Sequence, residues 1–382
     1  MDSKTRVKTA LAHQVPDQIP FGEFAIDYDT VEKILGRETY VRAKAKSQIA
    51  LWEGRRDEVV QSWKEDGVEL YKKLDFIDIV CVNSIAWGMV PPKGYTPDPP
   101  KRIDDTTWED KAGRILKLSD ITGDITCVHD PVAQAQEYKI EDFQKEPEVT
   151  APDPSVFEAM DYVIKHLGKD KYILGGSGNH VGMVMLGGME RGCLEYMINP
   201  ELIHAVNEYH YKQGSLEDAF YIRPGQDGVL WGQDYSYNSG PLISPDMFRE
   251  FVVPLTGQRV RDINAKYGIP VWHHACGNNW PILDCFVDMG LACYQSIQPT
   301  AGMDIREVKV QYGDKIALWG GVPVEHLVSG STDDIKRDVR YAVESAKHGG
   351  GYIFGSSHSI AVGTKYENFM TMVDEFLKVR RY

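Results

Sequence analysis

Short apolar, β-rich runs alternate along this chain with longer amphipathic stretches. Eight such runs predict strands: Ile19–Ile26, Ile77–Asn83, Tyr172–Gly176, Gly228–Asp234, Ile269–Cys276, Cys293–Gln298, Ile316–Val322 and Gly351–Ser357. They are called strands one to eight below. The stretches 200–220, 244–267, 332–348 and 365–379 predict helices. Pro200 and Pro245 stand where a first helical turn tolerates proline. Ser244 and Thr332 are the expected N-caps. Strands that alternate with helices pair in parallel. Eight such units predict an α/β fold, a (β/α)8 TIM barrel. The competing arrangement is an open doubly wound sheet, but no GxGxxG follows the first strand.

Residues 84–150 break the rhythm. They are rich in Pro, Gly, Asp and Thr, as in Gly94-Tyr95-Thr96-Pro97-Asp98-Pro99-Pro100. Arg114 to Leu118 alternates like a short antiparallel strand. The expectation is a β-rich insertion after strand two, a small hairpin cap over the barrel mouth. The whole chain, 1–382, then reads as one domain.

Composition narrows the function. The 382 residues are 42% hydrophobic and 26% charged, an ordinary globular balance. The net charge of −14 is spread along the chain. It favours solubility and argues against a nucleic-acid role, which needs a basic face. The six cysteines form no CxxC, and the opening MDSKTRVKTA lacks the apolar core of a signal peptide. No apolar run approaches the roughly 18 residues of a membrane span. The expectation is a reduced, cytoplasmic protein.

The chemistry concentrates at predicted strand ends, where TIM barrels place their active sites. His274 and Cys276 stand two apart on strand five, so one imidazole and one thiol share a face. Zinc takes N and S ligands in tetrahedral geometry, and a catalytic zinc keeps one position open. His358 at the eighth tip is the expected third ligand. The competing reading is a buried cysteine with two hydrogen-bonded histidines, since free Cys is often a small buried hydrophobe. His273 points away if His274 points in. Glu23, from strand one, is a candidate fourth, displaceable ligand. Asp234 and Tyr235 at the fourth tip are the candidate catalytic pair, with Asp234 buried and suited to acid–base work. Asn179, His180, Trp231, Gln298 and Trp319 are candidate substrate contacts. Trp231, Tyr235, Tyr237, Trp272, Trp280 and Trp319 are expected near the tips, where they would line an apolar pocket for a flat ligand.

Several segments resemble the uroporphyrinogen decarboxylase superfamily, and within it the zinc-dependent corrinoid methyltransferases. They are Arg6 to Pro20 (RVKTALAHQVPDQIP), Gly240 to Phe248 (GPLISPDMF), His274-Ala275-Cys276-Gly277, Ile297-Gln298-Pro299, Ala301-Gly302-Met303-Asp304, Trp319-Gly320-Gly321 and Gly349 to Ile353. The likeness covers nearly the whole chain, and HxCG is its specific part. Two departures stand out. The porphyrinogen decarboxylases carry RPxWxMRQAGR at the first strand; here Pro20 to Ile26 holds Glu23 and no arginine. That disfavours a multiply carboxylated porphyrinogen. The thiol-methylating members place a cysteine near the end of strand eight; here it reads Ser356-Ser357-His358.

The resemblance implies methyl transfer to or from a corrinoid, with zinc held by His274, Cys276 and His358. Fewer thiolates leave the metal a stronger Lewis acid, which favours activation of an ether oxygen. The implied reaction moves a methyl group from a small-molecule methyl ether, an O-methyl aromatic, to a Co(I) corrinoid. The chain has no DxHxxG, so the corrinoid is expected on a separate protein. Two alternatives stay open: transfer from a methylcorrinoid to a thiol, as in the coenzyme M methyltransferases, and a non-catalytic barrel that binds a corrinoid or tetrapyrrole.

Overall fold

Among the described residues, seven strands form one sheet whose spatial order is their order in the chain. They are Ile79–Cys81, Tyr172–Gly175, Gly228–Gly232, Val271–His274, Cys293–Ile297, Ala317–Gly320 and Tyr352–Ile353. Every pairing in this sheet is parallel. The computed structural model describes residues 1–85 and 90–382.

The eighth place in the ring belongs to the predicted first strand, which is not a regular strand. Gly22 N–H donates to the Phe354 carbonyl at 3.0 Å, and Phe354 N–H donates to Pro20 at 2.9 Å. On the other side, Asp78 N–H donates to Phe21 at 2.7 Å. These few bonds stitch the last strand to the first and close the barrel. The segment is irregular for a physical reason: Pro20 has no N–H to give a ladder.

Period-two alternation divides the strands cleanly. One set of side chains fills the barrel interior, among them Ile79, Tyr172, Trp272, Cys293 and Trp319. Their neighbours, such as Val80, Ile173, Val271, Tyr294 and Leu318, pack outward against the helices. The helical patterns form as expected, with small shifts. Pro200–Tyr221 and Tyr366–Val379 are single helices. The stretch from Ser244 to Tyr267 is two, Pro245–Phe251 and Val253–Tyr267, broken just before Pro254. Ser244 caps the first of them by accepting from Met247 N–H. The cap of helix Thr332–Ala346 is Ser331, not Thr332; Ser331 and Asp334 form a capping box.

The insertion after strand two is larger than a hairpin. It is a four-stranded antiparallel sheet of Lys101–Arg102, Thr107–Glu109, Ile115–Ser119 and Asp124–His129. It packs on helix Lys44–Trp52, where Trp52 meets Trp108 at 5.6 Å between ring centres. The tip at Gly123 lies against Tyr28 and Val362, so the sheet flanks the mouth beside strands one and eight. The first part of the predicted cap includes residues 86–89, which lie outside the described residues. Among the described residues, no helix is long and apolar enough to cross a membrane.

Candidate metal centre

His274 is two residues beyond Trp272, on the inward-facing side of strand five. Trp272 fills the barrel; His274, nearer the mouth, lies above it. The chain then turns at Gly277, whose φ of +84° only glycine adopts without strain. A side chain there would also strike the Ser236 carbonyl. That turn brings Cys276 back beside its own histidine: Sγ lies 3.3 Å from His274 Nε2. His358 arrives from the loop after strand eight. One ligand atom from each of His274, Cys276 and His358 lies within 4.8 Å of the others. Tetrahedral zinc with bonds of 2.0–2.3 Å needs ligand atoms about 3.5 Å apart. The donor set and its spacing fit such an ion with a small closure.

Each imidazole has its Nδ1 engaged by a neighbouring side chain. His274 Nδ1 donates to the side-chain oxygen of Gln295, leaving Nε2 bare toward Cys276. His358 Nδ1 bonds to Ser359 Oγ at 2.9 Å. Such partners fix the tautomer and orientation of a ligating histidine. Burial holds His274 down to about 4 and also lowers His358, so both rings are neutral near pH 7. Burial and the nearby Asp234 charge push the Cys276 thiol up to about 12. The sulfur therefore becomes a thiolate only with a cation beside it.

Glu23 stands apart from this cluster. Its carboxyl group is buried, pushed up to about 8 by desolvation, and bonded to the backbone and hydroxyl of Ser356. The Ser356 hydroxyl also meets the His358 carbonyl. A single hydroxyl proton serves only one acceptor, so a protonated Glu23 completes the chain. In this arrangement it braces the His358 loop, and the expected fourth ligand is not among the groups that converge.

The other predicted residues scatter. Asp234 is exposed, contrary to the expected burial; its carboxylate accepts the Cys276 N–H at 2.7 Å. Tyr235 lies behind the sheet, stacked on His273 at 4.9 Å and unbonded through its hydroxyl. His273 faces outward, as alternation requires, with its ring bonded to the Gln233 carbonyl. Gln298 accepts from Gly277 N–H and donates to Glu325, clamping the turn beside Cys276. Asn179 accepts from Val181 N–H within its loop. His180 is half-buried against Trp231 and Gln233. Trp319 is fully buried below the mouth, edge-on to Trp272 at 5.7 Å, with its N–H on the Gly22 carbonyl. Of the aromatics expected to line a pocket, Trp231 borders a cavity, whereas Trp272 and Trp319 fill the floor, Tyr235 is behind the sheet, and Tyr237 is exposed.

The structure adds residues that the sequence did not single out. Phe24 stacks on His274 at 4.1 Å and 13°. A cavity of about 290 Å³ opens beside it, bordered by Phe24, Arg42, Leu174, Leu230 and Trp231. Arg42 is buried and paired with Asp27 at 2.8 Å. Gln295 and Ser296 reach the two ligands of strand five. A signal for Gln295 was present: it stands two after Cys293, a polar residue on an inward-facing position. A larger cavity of about 420 Å³ lies between the antiparallel sheet and helix Lys44–Trp52, and holds none of the cluster.

A solved structure shares this architecture. A methyltransferase from Methanosarcina mazei superposes with a TM-score of 0.65 over 99% of both chains, at 17% identity. That likeness speaks to the fold. A Listeria monocytogenes protein, solved as a proposed vitamin-B12-independent methionine synthase, gives a TM-score of 0.39 at 9% identity, over 95% of this chain and 96% of its own. No curated protein matches the sequence. The family model described as uroporphyrinogen decarboxylase (URO-D) matches residues 122–379, which include all three members of the cluster. The chain belongs to the uroporphyrinogen decarboxylase family.

Proposed function

We propose that this protein is a zinc-dependent methyltransferase that moves a methyl group from a methyl ether, an O-methyl aromatic, to the Co(I) corrinoid of a separate protein. The observation that carries this reading is the convergence of His274, Cys276 and His358 within 4.8 Å at the barrel mouth. The fold shared with a methyltransferase supports it. Zinc bound by these three would supply Lewis acidity at an ether oxygen. In the transfer the methyl carbon bonds to cobalt, the carbon–oxygen pair stays on oxygen, and the alkoxide or phenoxide is the leaving group.

The chain's own residues set the stage for that step. Neutral His274 and His358 present nitrogen lone pairs, with Gln295 and Ser359 fixing the rings. Phe24 covers the face of His274 and shields it from water. The cavity beside it, about 290 Å³ and mostly apolar, matches a small aromatic ring better than a tetrapyrrole. The corrinoid, too large for that cavity, stays on its carrier and approaches over the open mouth.

The test combines metal content with turnover. Purified wild type should hold near-stoichiometric zinc by mass spectrometry. The protein should demethylate methoxylated aromatics only when zinc and a Co(I) corrinoid protein are both present. A wild type that takes up no zinc even on reconstitution sinks the proposal. Zinc-loaded protein that methylates thiols from a methylcorrinoid, and leaves ethers untouched, reverses its direction.

A further inference from the structure

Strand six contains one residue too many. Gln295 pairs with Trp319 and Ile297 with Gly320, so Ser296 is the extra residue of a β-bulge. Its φ is +85°, a left-handed conformation that a serine adopts only at a cost. Bulges of this kind re-aim side chains and are frequent beside active sites.

The consequence here is specific. Regular alternation sends Gln295 inward and Ser296 outward. The bulge turns Ser296 inward as well, so two consecutive residues reach the two ligands of strand five. Gln295 takes His274 Nδ1. The Ser296 hydroxyl lies 3.3 Å from Cys276 Sγ and 2.6 Å from the Ser357 carbonyl, next to His358. Ser296 is completely buried, so water does not substitute for these contacts. One hydroxyl therefore spans the gap between strand five and strand eight at the level of the candidate ligands.

We infer that Ser296 is a positioning residue of the metal centre: the bulge holds its hydroxyl between the Cys276 sulfur and the Ser357 carbonyl beside His358, and its one proton, given to that carbonyl while Cys276 is a thiol, turns to the sulfur once a cation makes it a thiolate. The inference rests on the metal reading proposed above. It explains why the strain is kept. A regular strand would be more comfortable, but it would leave Cys276 without a partner from strand six.

Ser296→Gly gives a clean test. Glycine adopts the left-handed backbone freely, so the bulge stays and only the hydroxyl goes. Ser296→Ala is the companion, losing the hydroxyl while keeping the backbone strain. Both are compared with wild type by competition for Zn²⁺ against a chelator, and by the sulfur-to-metal charge-transfer band of Co²⁺-loaded protein. The expected result is zinc affinity lowered roughly ten- to a hundredfold in both variants, the usual loss for an outer partner of a metal ligand. The Co²⁺ band should move to lower energy, because a sulfur without its hydrogen bond gives up electrons more readily. Ser296→Gly should be at least as stable as wild type to urea. Zinc affinity within twofold of wild type in Ser296→Gly, with an unmoved Co²⁺ band, overturns the inference and leaves the metal reading standing. A wild type that binds neither Zn²⁺ nor Co²⁺ overturns both.

Discussion

The floor and the mouth of this barrel are built from the same strands, two residues apart, and behave as different materials. On strand five the step runs from Trp272 to His274; on strand six it runs from Cys293 to Gln295. The floor is apolar and dry, with Trp272, Trp319 and Cys293 completely buried. The mouth is a chain of hydrogen bonds, in which Gln295, Ser296, Ser356 and Ser359 each hold a ligand or its loop. The floor sets the diameter and rigidity of the ring. The mouth uses that rigidity to hold side chains from distant strands at ligand distance. Stability and chemistry are therefore separable along each strand, and four measurements can break or sharpen that division.

The largest effect belongs to the mouth. Cys276→Ala should abolish zinc binding and methyl transfer while urea unfolding of the metal-free protein shifts by less than about 1 kcal/mol, because one small half-buried side chain is shortened. A large loss of stability in the metal-free variant would mean that Cys276 is part of the core. Next comes the floor. Trp319→Ala removes a fully buried indole and its bond to Gly22. Urea unfolding should show a loss of about 3–5 kcal/mol. A loss below about 1 kcal/mol would show that the floor does not carry the ring.

Gln295→Leu keeps the volume and removes the acceptor on His274 Nδ1. Zinc affinity should fall about ten- to a hundredfold with little change in fold stability. An unchanged affinity, read by chelator competition, would mean that the ring orients itself. The smallest effect is a pH dependence. Burial holds His180 down to about 4, below its ordinary value of 6.5. Above pH 6.5 the ring is neutral folded and unfolded alike. As pH falls from 6.5 to 4 the unfolded chain takes up a proton that the folded one refuses, so stability is lost across that window. The ring is only half-buried, so its share of the difference in urea unfolding between pH 7.5 and 5 should be about 1 kcal/mol. His180→Asn should reduce the difference by that amount, the rest belonging to the other buried rings, His273, His274 and His358. A profile that the variant leaves unaltered would assign the loss elsewhere.

The sequence made the barrel legible because eight apolar runs at barrel spacing admit few topologies. It made His274 and Cys276 legible because positions two apart on a strand share a face. It misplaced Tyr235 and Trp319 for one reason. Nearness to a strand tip tells how far along the barrel a residue sits, and not whether it faces the mouth, the floor or the helices. Phe24 escaped notice because a lone phenylalanine in an irregular segment has no pattern to mark it. Ser296 escaped because alternation sends it outward.

Local order was thus decided by the chain itself: which segments are strands and which are helices, which side chains alternate inward, and where Ser244 and Pro200 start their helices. These follow from dihedral preferences and apolar periodicity, which act over a few residues. The meeting of Cys276 with His358, the capture of Glu23 by Ser356 and the re-aiming of Ser296 were decided only when the ring closed. Those contacts join residues far apart in the chain, and their geometry depends on barrel diameter, stagger and one bulge. No local rule encodes these three quantities, because each is set by the packing of all eight positions at once.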